Sequence, residues 1–507
     1  MNDRKSESLQ IRTSAAELAA ARPHPDHKSN GDEYRFRFED IADMSDPRKG
    51  NSPSYIGSFT KSLPHDEDGF LINPSDYDAW VRAIDSGDPA DFSELRMGPG
   101  PFQANGDFQY TDPTNPNSSP IHNWASADNN GVSVRAWESM GAGLTFDLQG
   151  PDAQSVTMPP CPSLDSQELI AEMGEVYWMA LCRDVPFGNW SSDPTVDEAR
   201  NSLKRLWWFR QDQTSELNGI TDNAVDALAR RRILSADGVQ PVALEQLFRG
   251  VTPGEQIGPY LSQFLLIGNS GIANAQSIDD GRIAYGAINA NQRVRLARPN
   301  QDYMQDWDKW LDVQNGADVR GTEIYDGMGD AGYRFITTPR DLATYVHHDA
   351  LYEAYLNACL ILLGLKAPFD RGIPFQAADH RDGQQGFAQF GGPHILTLVP
   401  EVATRALKAV RYQKFNIHRR LRPEAVGGWM YQRRNGDMTI KDRLATLSQM
   451  EAAYAGSSGI GAKLEAANSA AGNWLLPMAF PEGSPTHPSY GAGHATVASA
   501  CVTLLKA

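Results

Sequence analysis

Long apolar runs are missing from this sequence. The longest, NACLILLGL at residues 357–365, falls far short of the span a membrane helix needs. The opening stretch, MNDRKSESLQIRTSAAELAAARPHPDHKSNGDEYRF, holds no apolar segment of signal-peptide length. No membrane partner is expected, and a cytoplasmic address is the default. Cysteine is scarce as well: Cys161, Cys182, Cys359 and Cys501 are the four in 507 residues, and no two are close neighbours. That excludes a CxxC-type zinc site and argues against a disulfide framework, so buried reduced thiols are expected. Positive charge is in deficit, with 46 Lys and Arg against 63 Asp and Glu, a formal net charge of -17. Nucleic acid as a partner is therefore not expected, because phosphate contacts require a basic face. Strand signals are also few.

What is present is helical periodicity. Residues 1–160 are rich in Asp, Gly, Pro, Ser and Asn, and 96–120 have the composition of an extended loop. This part reads as a loop-rich arm with little core of its own, packing on the rest or on a neighbouring subunit. SDYDAWVRAID (75–85) predicts a short helix within it, and LTFDLQG (144–150) an extended segment. Residues 161–507 read as a helical domain. DSQELIAEMGEVYWMALCRDVPF (165–187) has one broad apolar face, a cap at Asp165 or Ser166 and a stop at Pro186. Similar runs at 221–234, 241–250, 259–269, 340–365, 401–422 and 442–454 predict a set of packed helices.

Against so acidic a background, AVRYQKFNIHRRLRPEAVGG (409–428) stands out. Lys414, His418 and Arg422 recur at i, i+4 and i+8, which on a helix places them along one side, with Pro423 at the helix end. Arg411, Arg419 and Arg420 add charge. A solvated basic face is the ordinary reading of such a run; an oxyanion pocket is its rival. The last stretch, HPSYGAGHATVASACVTLLKA (487–507), places Gly491, Ala492 and Gly493 before His494 and an apolar helix. A helix start with free N–H groups favours an anion. Each motif is weak alone. Together they provide a lysine, an arginine, backbone donors and a histidine able to handle a proton.

The pair KFNIHRRLRPEA (414–425) and SPTHPSYGAGHAT (484–496) closely resembles vanadium-dependent haloperoxidases, most of all the bromoperoxidases of red algae and their bacterial relatives. The likeness extends to AEMGEVYWMALCRDVPF, QLFRGVTPGEQIGPYLSQFLLIGN and HHDALYEAYLNACLILLGL, and covers most of the chain from about residue 35. It implies an all-α fold of two four-helix bundles, of the type shared with certain acid phosphatases. It further implies orthovanadate as cofactor, and hydrogen peroxide, bromide or iodide, and small organic acceptors as reaction partners. Lys414 and Arg422 would hold equatorial vanadate oxygens, with Lys414 also polarising bound peroxide. Ala492 and Gly493 would line the site, the Gly493 N–H donating to vanadate, and His494 would be the acid/base group. Arg411 and His487 match positions associated with bromide handling. FQAADHRDGQQ (375–385) resembles a calcium-binding loop, with the Phe375 carbonyl, Asp382 and Gln384 as oxygen ligands. A homo-oligomer, a dimer or a larger shell, is implied too.

Two departures stand against the pattern. Ala492 replaces the usual serine and removes a hydroxyl donor to a charged group, a bond worth roughly 1.5–3 kcal/mol. The family pattern also continues past the GH helix to an arginine and the histidine that bonds vanadium, for which this sequence has no counterpart after Ala507. The expectation is that the sequence is part of a longer protein. An acid phosphatase of the same superfamily and a non-catalytic, calcium-stabilised oligomer are the alternative readings.

Overall fold

The computed structural model describes residues 3–37, 55–98, 111–112, 115–120, 135–147, 150–209, 244–249, 258–269, 278–375, 383–436, 444–456 and 459–507. The expected helix at 221–234 lies outside them, and of 241–250 only a short 3-10 turn, Leu244–Gln246, falls within an element. Helices of eight or more residues are numbered in chain order. They are α1 (Arg4–Ala20), α2 (Pro74–Ser86), α3 (Gln167–Leu181), α4 (Pro194–Leu203), α5 (Trp307–Gln314) and α6 (Pro339–His348). They continue with α7 (Glu353–Gly364), α8 (Gly392–Tyr412), α9 (Pro423–Asn435), α10 (Ala445–Tyr454), α11 (Ile460–Ala467) and α12 (Gly493–Lys506). Among the described residues, strands form three two-stranded antiparallel pairs, the longest joining Arg282–Tyr285 to Ile288–Asn291. No described helix is long and apolar enough to cross a membrane.

The helices fall into two groups. In the first, α3 packs on α4, α9, α10 and α11. Its buried side chains include Leu169, Met173, Tyr177, Met430, Met450 and Leu464. Ser166, not Asp165, caps α3 by accepting from the Leu169 N–H. In the second group α8 packs on α7 and α12, around Cys359, Val399, Ala403, Val497 and Cys501. The four cysteines are buried and free. Trp310 of α5 seals α9 from outside. A Cβ on Gly428 would lie 2.0 Å from its ring, so only glycine admits that approach.

Several expectations are corrected. Residues 259–269 form only a 3-10 turn, Gln263–Leu265, and the Asn269 N–H donates to the Arg282 carbonyl of the 282–291 hairpin at 3.0 Å. The run 340–365 is two helices, because the chain turns extended at Asp349. Within the loop-rich arm, Asp3 caps α1 through the Lys5 and Ser6 amides. The arm also has an aromatic cluster, in which Tyr55, Phe59, Tyr77 and Trp80 surround Phe415.

The correction that matters most lies after α8. Lys414, His418 and Arg422 do not share one helix side. The α-helix ends at Tyr412, residues Gln413–His418 form a π-turn, and Arg419 turns left-handed at φ 39°. Pro423 opens α9 rather than ending the preceding helix, with Arg422 as its N-cap. The basic segment is thus the crossover between the two helical groups.

Candidate oxyanion site

The crossover is pinned from the arm. The Phe59 N–H donates to the Arg419 carbonyl at 2.7 Å, and the Leu421 N–H to the Gly57 carbonyl at 3.3 Å. Arg419 grips Glu33, and Arg420 grips Glu172 at 2.7 Å. These two arginines are therefore structural, and the π-turn aims Lys414 the other way.

The loop 484–492 closes over that side. Ser489 Oγ donates to the Leu421 carbonyl at 2.7 Å and its N–H to the Arg420 carbonyl at 3.1 Å. Thr486 Oγ1 donates to the Ala136 carbonyl at 2.9 Å. Beneath the loop, Lys414 Nζ donates to the Pro488 and Ser489 carbonyls at 3.1 and 3.4 Å, and Arg422 Nη1 reaches Pro488 at 3.5 Å. His487 Nδ1 lies 2.7 Å from the Pro488 carbonyl. Arg411 pairs with Glu138, whose carboxylate also stands 3.9 Å from His487 Nε2.

Lys414, Arg422, Arg411 and His487 are therefore brought together under this loop. Two guanidinium groups and the Lys414 amine converge, with the Glu138 carboxylate beside Arg411 and His487, and they act on one another. Burial, then the Arg422 and Arg411 charges, push the Lys414 ammonium down to about 6. Burial, then Arg422, Lys414 and Arg411, hold the His487 imidazole far below its ordinary value, so it is neutral. Burial lowers Arg422 as well. Buried Arg422 Nε and Arg411 Nη1 have no hydrogen-bond partner. Unmet donors around an excess of positive charge are what an oxyanion satisfies.

His494 is placed beside this cluster in sequence but faces a different partner. Its Nε2 lies 3.0 Å from Asp349 Oδ2 and 3.2 Å from Oδ1, and its ring stays 43% exposed. Among the described residues no hydrogen bond joins it to Lys414 or Arg422. Ala492 is the N-cap of α12 and offers no side-chain cap, so the first amides of the helix are open to an external acceptor. A Cβ on Gly493 would meet nothing nearer than Leu407 Cδ1 at 3.9 Å, so there is free space beside that amide.

His418 is not part of the site. Both its ring nitrogens are buried without a partner, its ring stands edge-on to Tyr490, and burial lowers it to about 4. For the calcium loop, Phe375 is left-handed at φ 60° and Gln384 is exposed, while Asp382 lies outside the described residues. Sequence reasoning missed Glu138, Asp349 and Arg135. Buried Arg135 Nη1 is without a partner, and its charge is felt at Arg422. All three belong to segments remote in sequence from the basic run and lack a local motif.

Comparison with known proteins now decides the family. A vanadium-dependent bromoperoxidase of Corallina officinalis is 45% identical over the whole of this chain, which spans 82% of that relative. The chain belongs to the vanadium-dependent bromoperoxidases. The Corallina pilulifera bromoperoxidase is 44% identical over the same shares. Among solved structures, the second vanadate-dependent bromoperoxidase of Ascophyllum nodosum, described as homohexameric, aligns with a TM-score of 0.67 and 26% identity. That alignment covers 99% of this chain and 69% of that one. No family model matches. The bromoperoxidase family is helical, as this chain is, and the basic cluster sits at the crossover between the two helical groups of this chain.

Proposed function

We propose that this bromoperoxidase holds vanadate between Lys414, Arg422 and the open amides of α12, and uses it to oxidise bromide with hydrogen peroxide. The carrying observation is the buried cation cluster with unmet Arg422 and Arg411 donors. Vanadate supplies a centre that activates peroxide toward halide without a change of its own oxidation state. The chain's residues do the rest. Lys414 and Arg422 neutralise the bound oxyanion in a site closed by the 484–492 loop, where each charge counts for more than in water. The Gly493 N–H donates to it. His494 passes a proton at its ring nitrogen, and Asp349 fixes that ring. Neutral His487, beside Arg411, faces the same cluster and is placed to meet the halide. Iodide, which is easier to oxidise, is accepted where bromide is. The product, a hypobromous-acid equivalent, brominates small organic acceptors.

Bromination of a dione, followed by loss of its absorbance as vanadate is added to vanadate-free protein, tests this reading. Activity should rise with vanadate to saturation and vanish in Lys414→Met. Bromination that ignores vanadate would overturn it.

Calcium at the Phe375 carbonyl, Asp382 and Gln384 belongs to the same reading. Oxygen donors suit calcium, and a calcium chelator should lower the melting temperature. Self-association is part of it as well, supported by the hexameric neighbour and measured by sedimentation.

A further inference from the structure

A second cluster lies where α6 ends. Glu323, His347 and His348 each offer one ligand atom, and these atoms lie within 4.8 Å of one another. Glu482 adds another carboxylate, its Oε1 3.3 Å from His347 Nε2. Two ligands held about 2.0–2.2 Å from a tetrahedral ion stand about 3.3–3.6 Å apart, so this gap already has the spacing of a shared ion. The Tyr325 hydroxyl bridges His348 Nε2 at 2.7 Å and Glu323 Oε1 at 3.3 Å.

The carboxylates here are short of partners. The Glu482 side chain is 3% exposed, and its Oε2 has no hydrogen-bond partner. Glu323 Oε2 is buried without one too. The surrounding cations do not fill the gap. Arg320 is held by Asp318 through two bonds of 2.7 and 2.5 Å, and Arg295 lies over the Tyr325 ring at 3.9 Å. The Glu482 charge is felt at Arg135, and Arg135 in turn at His347, but Arg135 hydrogen-bonds to neither among the described residues. Buried carboxylate oxygens left without donors are costly, and a cation between them and two imidazoles removes that cost.

We propose that His347, His348, Glu323 and Glu482 bind a divalent transition-metal ion of the zinc class. Two imidazoles with two carboxylates suit such an ion, whereas calcium and magnesium favour oxygen-only shells. His348 and Asp349 also line an open cleft of about 490 Å³, which leaves water a route to the ion. The position ties two parts of the oxyanion site. Asp349, which holds His494, directly follows His348, and Glu482 lies in the segment that leads to His487. The ion would fasten the end of α6 to that segment. This site is separate from the vanadate pocket and stands whether or not that reading holds.

Zinc titration of the full chain by calorimetry tests it, in vanadate- and phosphate-free buffer with excess calcium. The expected result is one zinc per chain, not displaced by calcium, with a raised melting temperature. Glu323→Gln and His348→Ala should each weaken binding more than about tenfold, since loss of an outer-shell partner alone reaches that range. His348 is exposed at the end of α6, so its replacement leaves the fold intact and keeps the test decisive if Glu323→Gln fails to fold. No saturable zinc binding, displacement by calcium, or equal binding by wild type and His348→Ala would overturn the proposal.

Discussion

The His494 imidazole faces the Asp349 carboxylate at 3.0 Å, across the junction between α12 and the turn that ends α6. Asp349 is almost buried and His494 is half exposed, so the carboxylate is the fixed member of the pair. It selects the ring orientation and favours a proton on the nitrogen facing it. Asp349→Asn keeps the shape and removes the charge. Bromination kcat should fall about tenfold or more, a part of the roughly hundredfold or larger factor that acid–base assistance contributes. Vanadate affinity should change little, because Asp349 does not belong to the cation cluster. Equal loss of vanadate affinity and kcat in a vanadate titration would contradict this division.

Lys414 leads to a proton-linkage prediction. In the anion-free chain, burial and the neighbouring arginines set it at about 6, so at pH 7.5 it is mostly neutral. An oxyanion beside it favours the charged form, and binding should take up a proton. Calorimetry of vanadate binding in buffers of different ionisation enthalpy should show more uptake in the wild type than in Lys414→Met, and equal uptake would refute it. The sign for stability follows. Between about 6 and the ordinary 10.5 the unfolded chain holds more protons at this residue than the folded one. This group therefore makes the anion-free protein more stable as pH rises through that window, and its full cost is felt below it.

The start of α12 separates two effects of one atom. Ala492→Ser adds a hydroxyl at an N-cap that now has none. If it caps the helix, stability rises by about 1 kcal/mol. If it faces the anion, vanadate affinity rises by roughly 1.5–3 kcal/mol, about tenfold to a hundredfold. The expected outcome is the second, read as a lower dissociation constant with a melting temperature that moves little. Unchanged affinity would show that the amides alone saturate the anion. Gly493→Ala should do the reverse, sparing the fold because its methyl meets open space and weakening vanadate because it fills that space.

Lys61 and Glu424 form a buried pair at 3.4 Å under the same loop. Burial alone would raise the Glu424 carboxyl, but the Lys61 and Arg422 charges with the Ser484 hydrogen bond hold it below its usual value. Its contribution is complete above the ordinary carboxylate range and is lost as pH falls through the lower folded value. Glu424→Ala strands the Lys61 charge and should destabilise by about 3–5 kcal/mol in a denaturant titration. Replacing both residues with methionine should cost less than Glu424→Ala alone. A double variant weaker than the single one would show that the pair is worth more than its parts.

Helices with one apolar face, such as α3, were legible because their burial repeats with the helical period. The cation cluster was legible because Lys414 and Arg422 stand out in an acidic chain. The π-turn was not, since spacing of i, i+4 and i+8 fits a straight helix equally well and only Arg419's left-handed backbone reveals the break. The turn after His348 was hidden too, because apolar residues continue through it. Glu138, Arg135 and Asp349 have no motif of their own, and their place in the site comes from tertiary packing alone.

The 484–492 loop is hung from distant anchors. Lys61 Nζ holds the Glu482 and Ser484 carbonyls from 421 and 423 residues away, at 2.9 and 2.6 Å. Ala136 holds Thr486, and Leu421 holds Ser489. Contacts of such separation close late, because long stretches of chain must be ordered before they form. The pocket therefore depends on contacts of very large sequence separation. A chain in which those contacts are unmade has the residues but not the site.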